Sequence, residues 1–98
     1  MPSDSVTIVD RPDRQRYEVE LGGELVGLLS YQVDGAAGVI THRHTETDSA
    51  YRSRGIASQL VRFALDDARA RGLTVRPQCP FVGAFIQDHP EYADLVAR

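Results

Sequence analysis

The hydrophobic period of this chain changes once, near residue 50. Before that point apolar residues tend to recur every second position, the period of a strand. After it they recur at helical spacing. Val6 and Ile8 alternate with polar neighbours, and RPDRQ then breaks the run. Tyr17, Val19 and Leu21 alternate with Glu18 and Glu20, which predicts a half-buried strand. Gly22-Gly23 is a hairpin signal. Residues 25–33, LVGLLSYQV, form a richer apolar run, expected to be buried on both faces. Gly27 within it points to a bulge or a close approach. Asp34-Gly35 is a second hairpin signal, and residues 37–43 predict a fourth strand centred on Val39 and Ile40.

From Ile56 the apolar residues fall at 56, 57, 60, 61, 64, 65 and 68, one stripe of an amphipathic helix. Gly72 suits the position just past its end. Leu73, Thr74 and Val75 predict a short strand that Pro77 stops, and Pro80 opens a short helix carrying Phe81, Val82, Phe85 and Ile86. Pro90 ends that helix and starts a last turn through Tyr92, Leu95 and Val96. An antiparallel meander followed by helix–strand–helix is an α+β layout, and 98 residues predict one domain, residues 1–98.

Charge and cysteine content exclude several classes. Eleven basic residues against fourteen acids give a net charge of −3, so no nucleic acid is expected as partner. All eleven are Arg, which removes mechanisms that need a lysine Schiff base or a P-loop lysine. Yet residues 52–76 hold six Arg and two acids, a local basic zone that points to a defined anionic ligand or to a solvated helix face. Cys79 is the single cysteine, so no intrachain disulfide forms. No apolar run approaches the roughly 18 residues of a membrane helix, and the N-terminus MPSDSVTIVD lacks the pattern of a signal peptide. The expectation is a cytoplasmic protein in a reducing compartment, with no membrane partner.

Four segments could carry chemistry. YRSRGIAS, residues 51–58, lies between the fourth strand and the long helix. A helix start offers unpaired N–H groups and a positive dipole end, Gly55 lets the backbone come close to a ligand, and Arg52 and Arg54 add charge. An ordinary Gly-containing turn reads the same way. His42-Arg43-His44 ends the fourth strand, and alternation puts both imidazoles, with Glu46, on one face. That pattern suits a general base, a metal site completed by Cys79 or His89, or a polar strand end with no chemistry. Cys79, just before Pro80, is placed as a helix N-cap, where a thiolate is favoured. A small buried hydrophobe is the alternative. HPEY, residues 89–92, reads as structural turn chemistry.

These residues together resemble the GNAT superfamily of acetyl-CoA-dependent N-acetyltransferases. Arg52, Gly55 and Ala57 in YRSRGIAS are similar to its R-x-x-G-x-[GA] acetyl-CoA loop. HTE at 44–46, Cys79 in RPQCPFV and HPEYADLV at 89–96 extend the likeness to a minimal, YidJ-like subgroup, from about Tyr17 to Val96.

The resemblance implies a GNAT-like twisted mixed sheet with helices packed on it. It implies acetyl-CoA as cosubstrate, held by Arg52, Ser53, Arg54, Gly55, Ile56 and Ala57, chiefly through main-chain amides. The pantetheine arm would lie between the fourth strand and residues 73–76. His44 and Cys79 would stand in for the usual acid/base pair, Cys79 as general acid or as the nucleophile that takes the acetyl group first, assisted by Glu46, with no metal. The acceptor would be a small amine or a protein amine, and the protein a monomer or homodimer. A non-catalytic acyl-CoA-binding or interaction module is the second reading. It is motivated by a departure: the superfamily's N-terminal helices, which build much of the acceptor site, have no counterpart. The superfamily's usual tyrosine acid is also unmatched, since Phe81 and Phe85 occupy that helix.

Overall fold

The computed structural model describes residues 6–97, with the side chains of 52–54 outside that description. Strands β1 (Val6–Arg11), β2 (Arg16–Leu21), β3 (Glu24–Asp34), β4 (Val39–Thr47) and β5 (Thr74–Pro77) form one sheet in chain order. The first four pair antiparallel, and β5 joins β4 in parallel after helix α1 (Ile56–Ala70). Helix α2 (Pro80–Asp88) and a 3-10 segment over Pro90–Leu95 follow. This is the mixed α+β layout that the change of period predicts. Among the described residues no helix is long and apolar enough to cross a membrane.

The helical stripe does the work expected of it. Ile56, Leu60, Val61, Ala64, Leu65 and Ala68 are fully buried against Tyr17, Val19, Leu29, Ile40 and Val75. Each large aliphatic side chain so buried contributes about 1.5–3 kcal/mol. The Tyr17 hydroxyl donates to Asp67 Oδ2 at 2.6 Å and ties β2 to α1. Phe85, Tyr92 and Leu95 extend the same core beneath α2 and the last 3-10 segment.

Two expectations about the strands need correction. Residues 25–33 are not buried on both faces. Val26, Leu29 and Tyr31 are buried, whereas Leu25 is 45% exposed and Leu28 and Val33 are half-buried. The cause is that α1 covers β2, β3 and β4 from one side only. The fourth strand spans residues 39–47, not 37–43. Asp34 Oδ1 accepts the Ala37 N–H and keeps the residues before Gly38 in a loop, while the long β3 offers partners as far as Thr47.

Gly27 meets both expectations placed on it. The β2–β3 register shifts there, leaving Val26 as an extra residue. A Cβ on Gly27 would lie 2.8 Å from Val19 Cγ1 and 3.0 Å from the Glu46 carbonyl oxygen. Opposite α1, β2 presents Glu18 to the outer face. Its carboxylate is only 4% exposed because Arg11, Arg14 and Arg16 reach it at 3.3, 3.0 and 2.7 Å. Burial alone would push its pKa up. Hydrogen bonds from Arg16, Arg14 and Arg11 outweigh that and hold it below the usual carboxylate range.

Candidate active site

The site is built around a one-residue irregularity in β4. Tyr31 pairs with His42 and Ser30 pairs with His44, so Arg43 has no opposite number in β3. Such a bulge shifts the alternation by one residue. Ile40 and His42 face the core, while His44 and Glu46 fall on the outer face and Thr45 takes the inward parity. The expectation that His42 and His44 share a face is therefore wrong. No apolar residue follows Ile40 in β4, so the sequence carries no sign of the change of phase.

His42 is fully buried, and neither ring nitrogen has a hydrogen-bond partner. Burial pushes its pKa down from 6.5 to about 4, so the ring is neutral at pH 7. It cannot join His44 around a common ion. His89 is engaged as well: its ring stacks on Phe85 at 3.9 Å, and Nδ1 lies 2.8 Å from the Phe85 carbonyl oxygen. No group of three or more potential metal ligands occurs among the described residues.

His44 and Glu46 do come together, with Nε2 3.2 Å from Oε2 and both side chains well exposed. His44 stands between two cavities. One, of 570 Å³, is also lined by Thr45, Glu46, Thr47, Ala57 and Phe81. The other, of 360 Å³, opens on the outer face of the sheet near Ser30 and Arg43.

The larger cleft exists because the sheet splays. β5 pairs with β4 only from Val39 to His42, where Pro77 ends it. Among the described residues the edge of β4 beyond His42 has no strand neighbour on that side. Cys79 closes the fork: its N–H donates to the His42 carbonyl oxygen at 2.9 Å. The residue is the N-cap of α2, with Pro80 in the first turn, as the sequence predicts. Its thiol is 4% exposed and lies 3.6 Å from Thr45 Oγ1. Burial pushes this thiol up. The Val82 amide, the Thr45 hydroxyl and the amides of Phe81 and Thr45 outweigh burial and hold it below the usual thiol range.

At the other end of the cleft, Gly55 precedes α1 in a left-handed conformation, φ 74° and ψ 15°. A Cβ there would meet nothing within 4 Å, so the backbone is open to approach. The first amides of α1 have no partner within the helix. Ala57 lines the cleft. The Ile56 side chain is fully buried in the core, so only its amide can face a ligand. Arg52, Ser53 and Arg54 fall in a 3-10 segment, and their side chains lie outside the described residues.

A family model described as GCN5-related N-acetyl-transferase matches residues 16–95. The chain belongs to this family. Among curated proteins it is similar to Protein NATD1 of Bos taurus, 32% identical over 78 residues, covering 79% of this chain and 68% of that protein. The Mus musculus Protein NATD1 is 33% identical over 81 residues, covering 80% and 73%. A GCN5-like protein from Staphylococcus aureus, solved by NMR, superposes with a TM-score of 0.68 at 16% identity, covering 99% of this chain and 91% of that one. A crystal structure of a ribosomal-protein-alanine N-acetyltransferase from Brucella melitensis gives 0.55 at 20% identity, covering 85% and 63%. At such identities these two structures share the fold. Within the GCN5-related frame, two features of this site went unread in the sequence: Thr45 as the neighbour of the thiol, and Phe81 as a wall of the cleft.

Proposed function

We propose that this chain is an acetyl-CoA-dependent N-acetyltransferase in which His44 is the general base and Cys79 the general acid. The observation that carries the reading is the fork between β4 and β5, with His44 on one side of β4 and the Cys79 thiol on the other. The cleft suits the cosubstrate: Gly55 leaves its rim open, Ala57 keeps the first turn of α1 slim, and the free edge of β4 runs along it.

Acetyl-CoA supplies an activated acetyl group as a thioester. The first amides of α1 bind the pyrophosphate at the positive end of the helix. The unpaired edge of β4 hydrogen-bonds the pantetheine arm and polarises the thioester carbonyl, as an oxyanion hole does. His44 takes a proton from the amine, and Glu46, 3.2 Å from Nε2, orients its ring. The amine nitrogen bonds to the acetyl carbon and the C–S bond breaks. Cys79 gives its proton to the departing thiolate, in the role that Phe81 and Phe85 cannot fill. The His44–Cys79 pairing also supports a YidJ-like type within the family.

Acetylation of an amine panel, followed by mass spectrometry of the products, tests this. Turnover should fall about 100-fold or more in His44→Ala and in Cys79→Ala while acetyl-CoA still binds. Acetyl-CoA binding without turnover on any amine would make the protein a CoA-binding module. An acetyl group found on Cys79 during turnover would replace direct transfer by a covalent route.

A further inference from the structure

We infer that the acceptor is a small amine bearing a carboxylate or phosphate, and that Arg43, with Arg14, holds this anion while His44 works on the nitrogen. The inference rests on the transferase reading above and adds the chemical class of the acceptor.

The 360 Å³ cavity on the outer face is lined by Arg14, Gln15, Ser30, Arg43, His44 and Gln78, together with Tyr31. Its size lies at the small end of ligand pockets. Among the described residues no carboxylate lines it, although the chain as a whole carries a charge of −3. Among the described residues His44 is the one it shares with the 570 Å³ cleft, so a molecule here meets the proposed base from the side away from the thiol.

The two guanidinium groups are not spent on the fold in the same way. Arg14 gives Nη1 to Glu18 at 3.0 Å and keeps its other donors. Arg43 is the bulge residue of β4, outside the ladder, and has no ion-pair partner among the described residues. Gln15 adds an independent sign. It is the one described non-glycine residue at positive φ, 54° with ψ 50°. Its carbonyl oxygen accepts the Tyr31 N–H at 2.9 Å, and its own N–H donates to Pro12 O at 3.1 Å. Strained backbone pinned from both sides at the rim of a cavity is a common mark of a ligand site. Here Arg14, Gln15 and Arg43 line the same cavity.

The chemistry follows from the charges. A simple alkylammonium would be repelled by two guanidinium groups. An amine with a nearby anion would present that anion to the arginines and its nitrogen to His44.

The test compares matched amines with the whole chain: β-alanine against β-alaninamide, and phosphoethanolamine against ethanolamine. The anionic member of each pair should have a kcat/KM at least about tenfold higher, and Arg43→Gln should abolish that preference while Arg43→Lys retains part of it. Whichever pair shows the larger ratio identifies the anion. Equal use of both members, or preference for the uncharged one, overturns the inference and leaves the transferase intact. If no amine is acetylated, NMR titration with β-alanine and phosphoethanolamine decides separately. Shifts at Gln15, Ser30 and Arg43 keep the anion site while the transferase reading falls, and their absence removes both.

Discussion

Cys79 Sγ and Thr45 Oγ1 lie 3.6 Å apart, across the gap that opens where β5 stops pairing with β4. The contact stabilises the thiolate and helps hold the thiol pKa below its ordinary value. Thr45→Val keeps the shape and removes the hydroxyl, so the thiol should titrate at higher pH. Thiolate absorbance followed against pH measures this, and an unmoved titration would mean that the backbone amides of Val82, Phe81 and Thr45 alone control Cys79.

Acid should weaken the fold first through His42. Between pH 6.5 and about 4 an unfolded chain protonates this ring while the folded chain does not. Its contribution to stability is therefore complete above pH 6.5 and declines as pH falls, by at most about 1.4 kcal/mol per pH unit. Glu18, with a lowered pKa, adds its own loss only as pH drops below its ordinary 4.5. Denaturant midpoints at pH 6.5, 5.5 and 4.5 thus report mainly on His42. His42→Leu should flatten the slope in that window and remove two unsatisfied buried nitrogens, a gain of about 1 kcal/mol at pH 7. An unchanged slope in the variant would assign the proton to another group.

Gly27→Ala should destabilise by about 1–3 kcal/mol, the usual cost of overpacking. Val19 Cγ1 can give a little, but the Glu46 carbonyl oxygen, 3.0 Å from the added carbon, belongs to the backbone beside the proposed base. Thermal unfolding checks the stability, and the variant should also lose turnover in proportion to its effect on Glu46. Full activity with wild-type stability would show that β4 moves aside freely.

At Gly55 the cost is conformational, not steric, because the space around it is open. Gly55→Ala should lose about 1–2 kcal/mol from the left-handed backbone and bind acetyl-CoA more weakly, with Gly55→Asn milder than either Ala or Val. Calorimetric titration with acetyl-CoA separates the three. Equal affinity in all of them would remove the turn from the proposed binding site.

The layout was legible because both periodicities are strong. The stripe from Ile56 to Ala68 and the alternation at Tyr17, Val19 and Leu21 are each buried as their spacing demands. Cys79 was readable as an N-cap because Pro80 marks a helix start. The pairing of His44 with Glu46 was readable too, since parity is regular beyond the bulge. The separation of His42 from His44 was not. It depends on an extra residue opposite Ser30 and Tyr31, a tertiary event on a polar stretch where hydrophobic pattern carries no information. The bare outer face of β3 was hidden for a related reason: an apolar run records tolerance of burial and does not say which helices exist to provide it.

The bulge at Arg43 has a consequence for how this site can change. Substitutions at Ile40 and His42 act on the core and will be felt as stability, whereas those at His44 and Glu46 act on the proposed site. Removing position 43 altogether would leave a regular ladder with the same pairs, Tyr31 opposite His42 and Ser30 opposite His44, so His44 would stay outward and Thr45 inward. The faces of His44 and Thr45 therefore do not depend on Arg43, which leaves that position open to serve the proposed anion site alone.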